Sequence, residues 1–436
     1  MQGIRTRIAT VLAVGWLALA AGQASAWSPD SGGRTPVARP GTPLAASRAL
    51  DASGLRSKIN SALANAGGAD GVWVRDIDAG ADGALFTDDA GARRIPASNE
   101  KLFTTAAFLD ALGPDATLKT RVYGRGTLAQ NGTLSGDLVI VGDGDPALGT
   151  ARFAHAHDQP VTRVSALARK VEQAGVTSLK GRVLADDTIF DRDRYASEDV
   201  SPLSGLSFND GYDGGGYAHA PELVAAQALK QALRKLGVHV DGRVGRADLD
   251  EKTLDGKPLA QIASPSVARL IEETNVPSNN FFAEMLFKRL AADGGKVGTR
   301  KRGARKVEAF ADSLGTDVHA YDGSGLSRSN GVSPEEVGKL LVAMASLDDE
   351  QESAAFTDSL PIAGKEGTVA DRMRGTAAEG KCETKTGTLS DASALSGYCQ
   401  AGPHTIAFSI LMNSVDVDAA RRAQDRIAAA IARYRP

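Results

Sequence analysis

Residues 380–401 read Gly-Lys-Cys-Glu-Thr-Lys-Thr-Gly-Thr-Leu-Ser-Asp-Ala-Ser-Ala-Leu-Ser-Gly-Tyr-Cys-Gln-Ala, and the fold is decided here. Thr-rich runs on either side of Ser390-Asp391 predict a β-hairpin. Gly387, inside the first strand, marks a place where another backbone comes close. Lys385, Thr386 and Thr388 give that strand a cation and two hydroxyls, suited to holding an extended peptide and its terminal carboxylate. In a hairpin turning at Ser390-Asp391, directly opposed residues have numbers summing to 781, as Cys382 and Cys399 do. They are the chain's two cysteines, so a disulfide across the hairpin is expected, with two free buried thiols as the alternative.

Working outward, Ser98-Asn99-Glu100-Lys101 opens an apolar run (Leu102, Phe103, Ala106, Ala107, Leu109) that stops at Gly113-Pro114. The pattern predicts a helix with Ser98 in its first turn. Positions i and i+3 share a helix face, which brings the Lys101 amine within reach of the Ser98 hydroxyl: a nucleophile beside its base, as acyl transfer requires. Ser278-Asn279-Asn280 begins a second such run (Phe281, Phe282, Met285, Leu286, Leu290), while Ser207-Phe208-Asn209 is a rival Ser-x-Asn in a Gly-rich stretch.

With these motifs in order, and with Pro96-Ala97-Ser98, Asp322-Gly323-Ser324-Gly325-Leu326-Ser327-Arg328 and Leu395-Ser396-Gly397-Tyr398 around them, the chain resembles the low-molecular-mass class C penicillin-binding proteins, D-alanyl-D-alanine carboxypeptidases and endopeptidases. The resemblance spans roughly residues 50–430 and is looser between 115 and 265. It implies an α/β (α+β) transpeptidase fold of the penicillin-binding/β-lactamase type: an antiparallel sheet flanked by helices, a helical subdomain, and a strand-rich insertion. Ser98 would attack the penultimate D-alanine, with Lys101 as base. Ser278 would relay the proton, Asn280 would orient Lys101, and the main-chain N–H groups of Ser98 and Thr388 would hold the oxyanion. Lys385, Thr386, Gly387 and Thr388 would bind substrate. Lys385 is also the expected second cation lowering the Lys101 pKa. Peptidoglycan peptides ending in D-Ala-D-Ala are the implied substrates and β-lactam antibiotics the covalent inhibitors, with no cofactor and no metal. Asp322 and Ser324 read equally well as site-lining residues or as a turn.

The remaining sequence sets the frame. A chain of 436 residues, 42% apolar and 24% charged, suffices for two or three domains, and a net charge of −3 gives no reason to expect nucleic acid. Arg5 and Arg7, the apolar run 8–21 and Ala24-Ser25-Ala26 read as a secretory signal cut after Ala26. That run is short of the roughly 20 residues a spanning helix needs, with an uncleaved anchor as the alternative. The signal places the working protein outside the cytoplasm, periplasmic or secreted, and residues 27–48 read as a flexible leader. A helix over Leu55, Ile59 and Leu63 and a strand at 71–77 follow. The interval between Ser98 and Ser278 implies an insertion, assigned to 116–219 with a strand-rich core at 119–190; the catalytic domain is then 49–115 and 220–436. The helical run 221–236 is expected to return the chain to it.

Other motifs read blandly. Gly142-x-Gly144 is a turn, not a phosphate loop. His155-x-His157 with Asp158 has metal-compatible residue types but no further ligand at a meaningful spacing. The basic stretch 296–306 is a solvated helix face, with weak contact to anionic envelope polymer as the sharper reading. The helix 417–434 packs Ala420, Ala423, Ile427 and Ile431 on the sheet. Two other functions remain open on sequence: a serine β-lactamase, disfavoured because no Glu sits in a recognisable deacylation loop, and a non-catalytic muropeptide-binding scaffold.

Overall fold

The structure is a computed structural model that describes residues 49–436, except 65, 248–253 and 255; the signal and leader segments lie outside the described residues. Its central sheet has five antiparallel strands in the order Cys382–Leu389, Ala392–Ala401, His404–Asn413, Ala69–Asp76 and Ala84–Asp88. Among the described residues, the two earliest strands thus complete a sheet whose other three lie between residues 382 and 413, with Val72 opposite Ile410.

Side-chain alternation divides this sheet between two cores. Val72, Val74, Leu395, Ile406, Phe408 and Ile410 face Leu55 and Ile59 of the helix Ala52–Leu63 and Ala420, Ala423, Ile427 and Ile431 of the helix Val417–Ile431. Ala394, Tyr398, Ala407 and Leu411 point the other way, into a helical layer holding Phe103, Phe108, Phe282, Phe287 and Leu340. Both faces are covered, so the strand His404–Asn413 is buried almost throughout and truncating Phe408 to Ala costs about 3–5 kcal/mol.

The hairpin has the expected register. Leu389 faces Ala392 across the turn, Cys382 faces Cys399, and the two cysteines are disulfide-bonded. Arg328 closes the turn from outside by bonding Ser390 Oγ (2.7 Å) and Asp391 Oδ1 (2.5 Å).

A second sheet mixes parallel and antiparallel pairs. Its main path is Val244–Arg246, Val183–Asp186, Thr133–Val141, Lys119–Leu128 and Ala260–Ala263, with Ser178–Leu179 and His239–Val240 alongside. The expected boundary at 219/220 needs correction. The helix Pro221–Lys235 does not return the chain to the central sheet; it buries Ala225, Leu229 and Leu233 against Leu167, Leu138 and Val183 of the second sheet's own core. The chain leaves that sheet only after Ala263, where Ser264 Oγ accepts from Leu118 N (2.9 Å) and the helix Val267–Asn275 begins. An amphipathic stripe shows that a helix covers something, but not which sheet.

The basic stretch lies in the helix Arg300–Ser313 and the turn before it. Arg300 pairs with Asp193 (2.5 Å), and Arg302 and Lys306 pair with Asp293 (3.1 and 2.5 Å), at partly exposed positions.

Candidate active site

Ser98 does not sit in a regular first turn, as its spacing predicts. It lies in a 3₁₀ turn, Ala97–Asn99, that runs into the helix Glu100–Leu112, and its hydroxyl caps nothing. Ala97 takes a left-handed φ of 48°, a conformation that costs a residue with a side chain about 1–3 kcal/mol and persists only where its surroundings enforce it. Three contacts do so. Asn99 Nδ2 donates to Ser396 Oγ (2.7 Å) in the sheet, and Ser396 Oγ in turn bonds Ser409 Oγ (3.0 Å). Two glycines supply the others. A β-carbon on Gly325 would lie 1.8 Å from the Ala97 carbonyl oxygen, and one on Gly387 would lie 2.6 Å from the Pro96 carbonyl oxygen and 3.1 Å from Ser98 N. The close approach read from Gly387 is therefore to the backbone that carries Ser98.

Helical i, i+3 spacing then brings Lys101 Nζ to 3.0 Å from Ser98 Oγ. The same amine donates to Asn280 Oδ1 (2.7 Å) and to the Ser324 carbonyl (2.6 Å). Asn280 opens the helix Asn280–Leu290, whose N-cap is Asn279, with its Oδ1 accepting from Phe282 N (3.1 Å). Ser278 is thus not needed as the cap. Its φ is 62°, and its hydroxyl accepts from Lys385 Nζ at 2.8 Å. Lys385 also donates to the Thr386 carbonyl (3.0 Å), and Thr386 Oγ1 bonds Thr368 Oγ1 (2.7 Å). The three motifs therefore converge, whereas Ser207 is buried in its own turn, bonding Ser204.

The electrostatics depart from expectation in one respect. Both lysine side chains are fully buried. Burial lowers the Lys101 pKa to about 7 against the pull of Glu284, Asp322 and Glu100, which favour its charged form. Burial first, and then the Lys101 cation, hold Lys385 well below the ordinary lysine value. The cation–cation effect thus falls on Lys385, because three buried carboxyls surround Lys101.

The Asp322–Arg328 loop proves to be a buttress under this amine. Asp322 accepts from Gly325 N (2.8 Å), Ser327 N (2.7 Å) and Asn330 Nδ2 (2.7 Å). Glu284 accepts from Gly323 N (3.0 Å) and Ser324 N (2.8 Å), and burial with Asp322 nearby raises its pKa to about 7. Sequence reasoning missed Glu284. The available signal was a lone carboxylate one helical turn after Asn280 in the run Phe281–Leu286.

Ser98, Ser278, Asn280, Thr386 and Thr388 open onto a pocket of about 630 Å³. Leu326, Thr368, Arg372 and the start of the terminal helix, including Asp418, Arg421 and Asp425, complete its wall. Among the described residues, His155 and His157 belong to no metal-ligating group, and the one such group, Asp76, Asp78 and His404, includes a His404–Asp76 pair at 2.8 Å.

A sheet-and-helix fold that gathers Ser-x-x-Lys, Ser-x-Asn and Lys-Thr-Gly around one pocket places the chain among the penicillin-binding and β-lactamase-like serine hydrolases. The family model for D-Ala-D-Ala carboxypeptidase 3 (S13) matches residues 55–202 and 217–434, so the chain belongs to that family of serine-type carboxypeptidases. A D-alanyl-D-alanine carboxypeptidase of an Actinomadura species is 33% identical, over 91% of this chain and 88% of that one. A carboxypeptidase DacB of Mycolicibacterium smegmatis is 26% identical over 87% and 84%. Penicillin-binding protein 4 of Haemophilus influenzae shares the fold with a TM-score of 0.71 at 19% identity, covering 84% of this chain and 97% of that one, and has also been solved with a β-lactam.

Proposed function

We propose that Ser98 is the nucleophile of an extracytoplasmic D-alanyl-D-alanine carboxypeptidase that cleaves peptidoglycan stem peptides through an acyl-enzyme, with cross-link endopeptidase activity as a second outcome of the same chemistry. One observation carries the reading: Lys101 Nζ lies 3.0 Å from Ser98 Oγ, with its pKa brought to about 7. An ordinary lysine would have to give up about 5 kcal/mol to be neutral at pH 7, and here burial has removed nearly all of that cost.

Lys101 takes the Ser98 proton as Oγ attacks the penultimate D-alanine carbonyl. The main-chain N–H groups of Ser98 and Thr388 receive the oxyanion. Ser278, its hydroxyl held by Lys385, passes a proton to the leaving amine, and terminal D-alanine departs. Asn280 fixes Lys101 through Oδ1 and keeps its amide N–H for the substrate backbone. Thr386 and Thr388 hydroxyls bind the terminal residue. Water then attacks the ester, with the same groups acting in reverse. A penicillin acylates Ser98 likewise, but its opened ring stays tethered to the acyl group.

The extracytoplasmic setting rests on the family and on the signal read at residues 1–26. No helix among the described residues is long and apolar enough to cross a membrane. The β-lactamase alternative finds no support in the pocket, because no glutamate lines it among the described residues and Glu284 is turned to the 323–324 amides. The test is incubation with a labelled penicillin and, separately, with a pentapeptide ending in D-Ala-D-Ala. Persistent labelling with D-alanine release is expected; rapid penicillin turnover identifies a β-lactamase, and neither activity identifies a muropeptide-binding scaffold. Labelling that survives in Ser98→Ala refutes the nucleophile assignment, as does near-normal acylation in Lys101→Ala for the base.

A further inference from the structure

We propose that Arg421, on the terminal helix, is the cation that binds the free carboxylate of the substrate's last residue, and that it makes the enzyme select peptides ending in a carboxylate. This rests on the acyl-enzyme reading and adds to it a recognition residue from outside the three motifs.

The strand motif offers Lys385 for that task, but the geometry uses Lys385 otherwise. Its side chain is fully buried and it is not part of the pocket wall. Two of the donors on its amine go to the Ser278 hydroxyl and the Thr386 carbonyl. A carboxylate arriving from solvent meets Thr386 and Thr388 first.

The charged groups that do line the pocket are Arg372 and, from the helix Val417–Ile431, Asp418, Arg421, Arg422 and Asp425. Arg372 is already committed. Its Nε and Nη2 bond Asp425 Oδ1 (2.9 and 2.7 Å), and Nη2 also bonds Gln424 Oε1 (3.1 Å). Arg421 is held differently. Its Nη2 donates to Thr388 Oγ1 at 3.1 Å, while its ion pair with Asp418 is long, at 3.8 Å, and Asp418 is 77% exposed.

As the acceptor of that bond, the Thr388 hydroxyl keeps its own proton to donate. Arg421 and Thr388 therefore present adjoining N–H and O–H donors to one volume, beside the strand that would align the peptide. A planar guanidinium with donors left over suits a carboxylate, and its charge persists at every pH the enzyme meets. A weak, exposed partner such as Asp418 yields to an incoming anion at little cost.

The test compares two substrates, a peptide ending in D-Ala-D-Ala and the same peptide ending in D-Ala-D-alaninamide. kcat and KM are measured for the wild type, Arg421→Gln and Arg421→Lys from pH 6 to 9. The wild type is expected to prefer the carboxylate by a ratio that stays level with pH. Arg421→Gln should lose about ten- to a hundred-fold in kcat/KM on the carboxylate, mostly through KM, and stay within about twofold on the amide. Arg421→Lys, which keeps the charge and loses the fork, should fall between. An equal drop on both substrates overturns the inference, since Arg421 would then act only by propping Thr388. An unchanged ratio also overturns it, as does a wild-type preference that falls away as lysines lose their protons. Intact-mass measurement after penicillin treatment separates the two levels: a wild type that is not acylated on Ser98 refutes the reading beneath, whereas an acylated enzyme with an unmoved ratio refutes Arg421 alone.

Discussion

Replacing Glu284 by Gln should move the acylation profile toward acid. Glu284 helps hold the proton on Lys101, because its negative charge favours the ammonium. The neutral amine is the base, so the acylation rate rises with pH through the Lys101 pKa, at about 7 in the wild type. Two unit charges several ångströms apart interact by roughly 3 kcal/mol at an effective dielectric near 20. Glu284 itself titrates at about 7, so roughly half of its charge is present at neutrality. The midpoint should then fall by about one pH unit, and acylation at pH 6 should become several-fold faster. The amide oxygen of Gln can still accept from Gly323 N and Ser324 N, which keeps the loop under Lys101 in place. The assay is the second-order rate of labelling by a fluorescent penicillin between pH 5 and 9, with thermal melting as the control for the loop. A midpoint that stays put or moves toward base, in a variant with wild-type melting, refutes Lys101 as the titrating base.

Three further outcomes follow from the same geometry. Ser98→Ala should abolish labelling and D-alanine release while leaving the melting temperature nearly unchanged, since the hydroxyl caps no helix and, among the described residues, bonds Lys101. Gly387→Ala should slow acylation by about a hundred-fold, the scale of a 1 Å misplacement, because the new methyl meets the Pro96 carbonyl and Ser98 N; an unaffected rate in a folded variant would show that the close approach is not what sets the site. Reducing Cys382–Cys399, which closes 17 residues of chain, should cost about 3 kcal/mol of stability and slow acylation before the whole protein unfolds; alkylation of two thiols in unreduced protein would refute the bridge.

Much of the site was legible because its geometry is local or set by register. Ser98 and Lys101 lie on one helix turn, and Cys382 and Cys399 are fixed opposite one another once the turn at 390–391 is placed. What was hidden depends on packing between distant segments. The Asp322–Arg328 string carries no sign that the Ser324 carbonyl will meet an amine from residue 101. The amphipathic reading of the terminal helix used its apolar face and passed over Arg421 on the other. The run 221–235 looked like a return to the catalytic sheet, and only the contacts of Leu229 and Leu233 show otherwise. The direction of influence between the two lysines likewise depended on the carboxyls of Glu100, Glu284 and Asp322 being buried beside Lys101, which sequence spacing does not reveal.

The sheet that carries Lys385 is closed by strands from opposite ends of the chain, and this governs when the enzyme can exist during its own synthesis. The strand Ala69–Asp76 is made early, yet its partner His404–Asn413 appears only after the whole second sheet and the helices that follow it. Until then the early strand has its short neighbour Ala84–Asp88 on one side and an open edge on the other. Pairing across so long a separation is slow, and the open edge is a site for misassembly in the meantime. A growing chain can complete the second sheet, whose strands all fall between residues 119 and 263, while its serine is still without a pocket. Hydrolytic competence thus waits for the strand His404–Asn413, and a chain cut short anywhere before it is released without it.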